Sequence, residues 1–290
     1  MKNKKTSCRS IENRVNNYIL RYCKGKDIYN FTTNDYLNWQ IKIDNMNFKY
    51  SYKKNLHVCF VTFLNYCKKF YNLKENVASL VGNFRNDEIE TCGNVWTIED
   101  FNKFIKVVDN KVYNVLFKFM FFTGCRLGET LALKFSDIEN NIVFIHNNAT
   151  RFFENEERIF TSPKTKKSIR KISIDNKLKN EIFELQEYYN TLYKNFNNDL
   201  YVFGGKNIIA PTTLTRKKNY YCDVARVKRI KLHEFRHSHA CLLFQHNVPI
   251  DEISHRLGHA TLSMTMDVYL KYIPRNEKRV LETLNSLRLN

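Results

Sequence analysis

The sequence predicts a mainly α-helical protein of two domains, the second of which carries a small three-stranded antiparallel sheet. From about residue 8 to residue 80 the apolar residues follow a helical period, and no segment there alternates as a strand does. Short runs rich in Ile, Val and Phe begin only after Asp137. Residues 82–96 contain two glycines and no sustained period, which is typical of a linker. We therefore expect one helical domain over 1–86 and an α+β domain over 94–290.

The first domain is predicted to contain three main helices. The corresponding segments are IENRVNNYILRYC, then NDYLNWQIKI behind Thr32 and Thr33, then a long run around NLHVCFVTFLNYCKKFY.

The second domain is predicted to begin with a capped helix at Thr97, because Asp100 stands at the third helical position. A further helix, VYNVLFKFMFFTG, should end at Gly124. The segments NIVFIHNN, RIFTSPK and SIRKISI are predicted strands, the last two joined by a tight polar turn at 165–167. Helical spacing returns from NKLKNEIFELQEYYNTLY to the end of the chain.

The charge of the chain favours a polyanionic partner. The 290 residues carry a formal net charge of +18, and residues 1–85 alone hold 16 Lys and Arg against 5 Asp and Glu. Solvated surface lysines do not account for such an excess in one segment, so nucleic acid is favoured over a membrane surface or simple solubility.

The apolar and cysteine patterns exclude several other classes of protein. No run of about 18 apolar residues exists to span a membrane, and IENRVNNYIL is too polar for the core of a signal peptide. The eight cysteines are scattered without a C-x-x-C pair. This spacing is typical of reduced thiols in a cytoplasmic protein rather than of a disulfide framework or a zinc ribbon.

The stretch HEFRHSH has three competing interpretations. His233, Glu234 and His237 match the H-E-x-x-H pattern of zinc proteases. Arg236 lies on the same helix face as the two histidines, and its permanent positive charge opposes a divalent cation and favours an anion. A helix with structurally satisfied histidines is the third interpretation, and the stretch alone does not decide among them.

Three further segments place polar residues where apolar residues are expected. Arg126 follows the helix-ending glycine, with Glu129 three residues later; Lys164 lies at the predicted hairpin; His259 precedes Tyr269 by ten residues. Each has an ordinary explanation, such as a surface ion pair, a turn lysine or a core tyrosine. The ordered set is what is improbable by chance.

This set resembles the tyrosine recombinase family, also called the phage integrases. The matching segments are TGCRLGE with Arg126, PKTKK with Lys164, HEFR with His233 and Arg236, LGH with His259, and finally Tyr269. The resemblance covers about residues 94–275. It implies a catalytic domain there, and more weakly a SAM-like core-binding domain in the basic segment before it.

The resemblance also implies a role for each matching residue. Tyr269 is the expected nucleophile, and the guanidinium groups of Arg126 and Arg236 are expected to hold the phosphate. Lys164 is the expected general acid, His233 takes or relays the tyrosine proton, and His259 donates a hydrogen bond to the phosphate. Neither metal nor other cofactor is required.

Some positions keep alternatives. Tyr272 lies near Tyr269 in the same predicted helix and is a rival nucleophile, although the offset from His259 favours Tyr269. Lys166 and Lys167 are rivals of Lys164. We expect His237 and His239 to be structural and Glu129 to orient Arg126.

The implied function is site-specific recombination of double-stranded DNA through a covalent 3′-phosphotyrosine, integrating or excising a mobile element. Four protomers are expected on two sites, with the C-terminal helix packed on a neighbouring protomer through Val280, Leu284 and Leu287, and accessory DNA-bending proteins as further candidate partners. Resolution of chromosome or plasmid dimers, relaxation of DNA by a type IB topoisomerase and an inactive DNA-binding regulator are the alternatives. Many integrases carry an additional arm-binding domain. Here residue 1 lies close to the first core-binding helix, so either the sites are simple or a longer chain has been shortened.

Overall fold

A computed structural model describes residues 5–86, 94–154, 157–161, 168–272 and 277–287. Within these ranges, the side chains of 5–7, 151–154, 157–161, 269, 277–280 and 283 are outside the description. The chain divides into two compact units, Met1–Thr91 and Cys92–Asn290.

The first unit is helical throughout its regular structure, as predicted. Its helices are α1 (Lys5–Arg14), which continues through a π-helical stretch (Val15–Leu20) into α2 (Arg21–Cys23), a 3-10 turn (Ile28–Asn30), α3 (Thr33–Asp44), α4 (Tyr50–Phe70) and α5 (Val77–Val81).

The aromatic residues of α3 and α4 form the core of the first unit. Thr32 and Asp35 form a reciprocal capping box that starts α3. On that helix Tyr36 and Trp39 are buried, and each ring lies within 5.2 Å of Phe60 on α4. Edge-to-face packing of this kind fixes the angle between the two helices and leaves the basic side chains outside.

The second unit surrounds one long apolar helix. Its helices are α6 (Ile98–Lys106), α7 (Lys111–Thr123), α8 (Leu127–Ala132), a 3-10 turn (Phe135–Asp137), α9 (Asn176–Leu192), α10 (Pro211–Val224), α11 (Glu234–Gln245), α12 (Ile250–Leu257), α13 (Leu262–Tyr272) and α14 (Glu277–Leu287). The predicted capping box of Thr97 and Asp100 opens α6, and Gly124 ends α7 in the left-handed conformation, as expected. Phe117 of α7 stacks on Phe235 of α11, with ring centroids 5.8 Å apart. This contact places α11 against the end of α7.

Two small antiparallel sheets replace the single predicted sheet. The strands are β1 (Ile138–Glu139), β2 (Ile142–Ile145), β3 (Asn148–Glu154), β4 (Glu157–Thr161) and β5 (Arg170–Ser173). The three-stranded sheet has the order β1-β2-β5, and β3 pairs with β4 in a separate hairpin. A small three-stranded antiparallel sheet is therefore confirmed, but its predicted membership was wrong. The described residues of RIFTSPK lie in β4, which pairs with β3, a strand that was not predicted; SIRKISI contains β5, which pairs with β2. The predicted turn at 165–167 lies outside the described residues.

Two features of composition have structural counterparts. In the described part of the chain, no helix combines the length and apolar character that a membrane span requires.

The buried cysteines Cys67, Cys125, Cys222 and Cys241 are thiols rather than disulfides.

Candidate active site

Arg126 stands at the junction of α7 and α8. Gly124 has φ +66°, which turns the chain sharply after α7, and Arg126 then caps α8. The Glu129 carboxylate accepts one hydrogen bond from the backbone N–H of Arg126 (2.9 Å) and another from its Nη1 (2.7 Å). One third of the Arg126 side chain remains exposed, so its guanidinium group is oriented by protein and still open to solvent.

Glu129 is shared with a second arginine that the sequence interpretation missed. Arg170 on β5 donates from Nη2 to Oε2 of Glu129 (2.9 Å) and from Nη1 to Oε1 (3.2 Å). Both side chains are almost completely buried. Burial alone raises the pKa of Glu129, but the hydrogen bonds and charges of Arg170 and Arg126 more than offset this, and the pKa falls below its usual value. The sequence offered one clue to this role. Arg170 lies two residues before Ile172 on the same strand, so both side chains face the buried side of the sheet.

Arg236 is a buried cation with an incomplete set of partners. It lies one position after Phe235 on α11, its exposed fraction is 2%, and its Nη1 donates to the carbonyl of Gly124 (3.0 Å). Its buried Nη2 has no hydrogen-bond partner within the described residues. Burial, reinforced by the charge of Arg126, lowers the pKa of Arg236 to about 9. A buried donor without an acceptor is costly in a folded protein, and an incoming anion would supply the acceptor.

The carbonyl groups of two helix-ending glycines accept hydrogen bonds from Arg126 and Arg236. Gly258 ends α12 with φ +67°, and its carbonyl accepts from Nη2 of Arg126 (3.3 Å), while Gly124 accepts from Arg236. A Cβ at Gly124 would lie 2.6 Å from Leu257 and 2.7 Å from His239, so no larger residue fits that corner. These contacts bring TGCRLGE, HEFR and LGH to one place.

His233 and His237 flank the arginines at the start of α11. Their ring centroids are 4.7 Å apart, and His237 also stacks on Tyr272 at 5.1 Å. His233 keeps access to solvent, yet the surrounding protein and the charges of Arg236 and Arg126 lower its pKa. Burial, together with His233, lowers the pKa of His237 to about 4. Both rings are therefore neutral near pH 7.

His259 connects the arginines to α13. Its Nδ1 lies 2.8 Å from Oγ1 of Thr265, and burial, with the charges of Arg236 and Arg126, lowers the pKa of His259 to about 3. Tyr269 belongs to the same helix, four residues after Thr265. Its side chain lies outside the described part of the structure, and so does the whole of Lys164.

His239 is buried one helical turn beyond the site. Its Nε2 accepts from Nε of Arg256 (3.1 Å), whose two other nitrogens donate to the carbonyls of Ser173 and Phe122. Arg256 thereby joins α12 to β5 and α7, and His239 takes part in that support rather than in the open site.

The described part of the site is suited to bind an anion. Arg126, Arg170 and Arg236 carry three positive charges, against the single carboxylate of Glu129, and neutral histidines surround them. Among the described residues, no group of three or more His, Cys, Asp or Glu side chains is arranged to hold a metal ion. The zinc interpretation of HEFRH therefore lacks a ligand set in this part of the chain, and a phosphate group suits the planar guanidinium donors.

Comparisons with known proteins agree with this chemistry. A family model described as the phage integrase family matches residues 95–274. The ICEBs1 integrase of Bacillus subtilis (strain 168) is 33% identical over 66% of this chain and 54% of its own length. A protein described as tyrosine recombinase XerC-like, from Caldanaerobacter subterraneus subsp. tengcongensis, is 29% identical over 78% of this chain and 63% of its own length. The chain thus spans little more than half to just under two thirds of these relatives.

Solved structures share the fold. The Tn1549 transposon integrase, in complex with a circular intermediate DNA, superposes with a TM-score of 0.76 at 15% identity, covering 98% of this chain and 94% of that one. A lambda integrase dimer bound to a core site gives a TM-score of 0.68 at 13% identity, covering 92% and 89%. With the family model matched over well over half of its length, the chain belongs to the phage integrase family.

Proposed function

We propose that the protein is a site-specific DNA recombinase that cleaves and rejoins strands through a 3′-phosphotyrosine intermediate. The observation that carries this proposal is the convergence of Arg126 and Arg236 on one corner, where a buried guanidinium nitrogen has no acceptor among the described residues. A scissile phosphate would supply that acceptor and the negative charge that the corner lacks. Preorganised donors of this kind each contribute roughly 3 to 4 kcal/mol to transition-state stabilisation.

Cleavage of the DNA strand requires only the protein and the DNA. The phenolic oxygen of Tyr269 forms a bond to phosphorus as the bond from phosphorus to the 5′ oxygen breaks. His233 takes or relays the phenolic proton, and Lys164 gives a proton to the departing 5′ oxygen. Attack by the 5′ hydroxyl of a partner strand reverses these transfers and reseals the DNA. His259, neutral near pH 7, donates one hydrogen bond to the phosphate.

The contacts of α13 support Tyr269 over Tyr272 as the nucleophile. Tyr272 stacks on His237, and burial, with the charge of Glu234, raises its pKa, which makes it a poorer nucleophile. Tyr269 lies one helical turn after Thr265, the residue that contacts His259.

The first domain, residues 1–86, is proposed as the core-binding domain that contacts DNA along its backbone. The excess of basic residues in this segment supports contacts to many phosphates, and affinity should fall steeply with salt. We place the catalytic domain over 94–290.

Assembly into a tetramer through α14 is part of the same proposal. Leu281, Leu284 and Leu287 are each at least half exposed along this amphipathic helix, which leaves an apolar face for a neighbouring protomer. Of the three residues predicted for this contact, the side chain of Val280 is outside the described residues.

We favour integration or excision of a mobile element as the biological role, carried out in the cytoplasm, with accessory DNA-bending proteins as candidate partners. Similarity to the ICEBs1 integrase of Bacillus subtilis supports this choice, while similarity to a XerC-like recombinase keeps dimer resolution as the second candidate.

The test is capture of the covalent intermediate. The substrate is a duplex carrying the direct repeats that flank the gene. It is nicked just downstream of the scissile phosphate, so that the short fragment released with a 5′ hydroxyl diffuses away and cannot reseal the strand. We expect wild-type protein and Tyr272→Phe to form an adduct that resists denaturing electrophoresis, and Tyr269→Phe to bind the DNA without forming it. Peptide mapping identifies the modified residue.

An adduct on Tyr272, or none on any repeat-containing duplex, would contradict the proposal. Relaxation of supercoiled plasmids that lack the repeats, by a monomer, would instead identify a topoisomerase.

A further inference from the structure

Arg170 is a buried arginine whose guanidinium nitrogens all have protein acceptors, and the mechanism above does not use it. Its exposed fraction is 6%, and all three guanidinium nitrogens have acceptors. Nε donates to the carbonyl of Arg256 (2.8 Å), Nη1 to the carbonyl of Ser168 (3.1 Å), and both Nη groups to Glu129. With its donors committed to protein, Arg170 is not a phosphate ligand.

The geometry of Glu129 shows what Arg170 affects. Oε1 of Glu129 accepts from Nη1 of both arginines, and Oε2 accepts from Nη2 of Arg170 and from the backbone N–H of Arg126. The carboxylate therefore shares one negative charge between two guanidinium groups. Without Arg170, Arg126 would be the only guanidinium group bonded to a nearly fully buried carboxylate.

That difference decides whether Arg126 is available to a substrate. A buried carboxylate with one cationic partner draws that partner into a tight bidentate pair, because an uncompensated buried charge is very costly. An Arg126 side chain held in this way would be displaced from the open corner, and its charge would be neutralised. A carboxylate already held by Arg170 instead orients Arg126 through one oxygen and leaves its Nη2 directed to the rim at Gly258.

We propose that Arg170 is a positioning residue for Arg126: by holding both oxygens of Glu129, it keeps the Arg126 guanidinium group out of a closed bidentate ion pair and directed towards the scissile phosphate. This inference rests on the proposed function for its substrate. It predicts a chemically specific defect, since only the interaction with the non-bridging phosphate oxygens should suffer when Arg170 is changed.

The experiment compares two substrates that differ at one atom. The first is the nicked repeat duplex, and the second carries a methylphosphonate at the scissile position, where a methyl group replaces one charged oxygen. We expect Arg170→Met to slow adduct formation about 10- to 100-fold on the phosphate, the usual loss when a residue supporting a functional group is removed. The loss should be several-fold smaller on the methylphosphonate, as for Arg126→Gln. An equal loss on both substrates would indicate a merely structural role and overturn the inference.

Two further variants keep the test decisive if Arg170→Met folds poorly. Arg170→Lys retains the charge but reaches a single oxygen, so it should recover part of the rate. Adding Glu129→Gln to Arg170→Met removes the carboxylate that captures Arg126, so the effects of the two changes should be strongly non-additive. Additive losses would mean that Arg170 acts by some route other than Glu129. Lys171→Met, an exposed neighbour on β5, removes the same charge and should lose the same factor on both substrates.

A binding measurement separates this inference from the proposed reaction. Calorimetric titration with inorganic phosphate gives a component of affinity that Arg126→Gln removes, and we expect Arg170→Met to remove most of it as well. If the wild-type protein forms no DNA adduct, but Arg170→Met still binds inorganic phosphate more weakly than wild type does, the positioning role stands and the proposed function fails. Unchanged phosphate affinity in Arg170→Met would overturn the positioning role.

Discussion

Replacing Arg236 by methionine should stabilise the protein while abolishing cleavage. Lowering the pKa of a buried guanidinium group from 12.5 to about 9 corresponds to roughly 4 to 5 kcal/mol of unfavourable free energy for keeping its charge, at about 1.4 kcal/mol per tenfold change in proton affinity. Methionine has a similar length and no charge. Its cost is the lost hydrogen bond to the carbonyl of Gly124, roughly 1 to 3 kcal/mol. The net expectation is a free energy of unfolding that is higher by roughly 1 to 4 kcal/mol at pH 7.

The stability difference between Arg236→Met and wild type should also depend on pH in a defined direction. The folded protein lowers the pKa of Arg236, so the unfavourable contribution is complete below about pH 9 and fades as the pH rises above it. The stability difference between Arg236→Met and wild type should therefore be constant near neutrality and shrink in alkaline solution.

The assay is urea unfolding followed by tryptophan fluorescence in a Trp39→Phe background. Trp96 then remains as the single tryptophan, and it is buried in the second unit, beside Phe235. In thermal unfolding, a change of this size raises Tm by roughly 2 to 16 °C for a unit of about 200 residues. Added sulfate should stabilise wild type more than the variant, because the anion satisfies Nη2 of Arg236.

Arg256 provides the matched control. It is also a largely buried arginine, but each guanidinium nitrogen has a protein acceptor, so Arg256→Met should destabilise by roughly 2 to 4 kcal/mol. If Arg236→Met destabilises the second unit as much as Arg256→Met does, the buried charge of Arg236 does not cost the fold the free energy calculated above, and the reasoning is refuted.

Three further outcomes are expected. Gly124→Ala should lower the free energy of unfolding by roughly 1 to 3 kcal/mol and slow adduct formation, because its Cβ would overlap His239; full activity and unchanged unfolding would show that the corner can relax. The free energy of unfolding should fall as the pH drops from about 6.5 towards 3, because His259 has a pKa near 3 in the folded protein and therefore binds a proton more readily in the unfolded chain. In urea titrations, His259→Asn should make this pH dependence less steep. An unchanged slope would mean that other groups cause it. Leu284→Asp on α14 should prevent recombination and tetramer formation on DNA in native electrophoresis while a single protomer still forms the adduct; retention of the tetramer would exclude that helix as the contact.

The sequence was sufficient where the decisive information is local. Helix starts and ends follow from short-range rules, so the capping box at Thr97 and the left-handed Gly124 were both predictable. Arg126, His233, Arg236 and His259 could be proposed from the sequence because each stands in a short ordered motif, and their roles stay predictions.

Strand pairing and the buried carboxylate network were not predictable in this way. Whether RIFTSPK pairs with the strand before it or after it depends on contacts across the fold, and alternation within a strand does not encode them. Arg170 was overlooked for a related reason. Its partner Glu129 is 41 residues away along the chain, and an arginine among isoleucines on a strand is ordinarily taken as an edge or surface position.

The two glycine carbonyls that hold Arg126 and Arg236 have a consequence for turnover. Each stands at the carboxyl end of a helix, where aligned peptide dipoles leave roughly half a negative charge. A carbonyl group of this kind orients the guanidinium group when no DNA is bound. Its partial charge is weaker than the full negative charge of a phosphate, so the phosphate can displace it as the hydrogen-bond acceptor. Because neither guanidinium group must first break a strong ion pair at that contact, loading and release of DNA should carry little electrostatic barrier there.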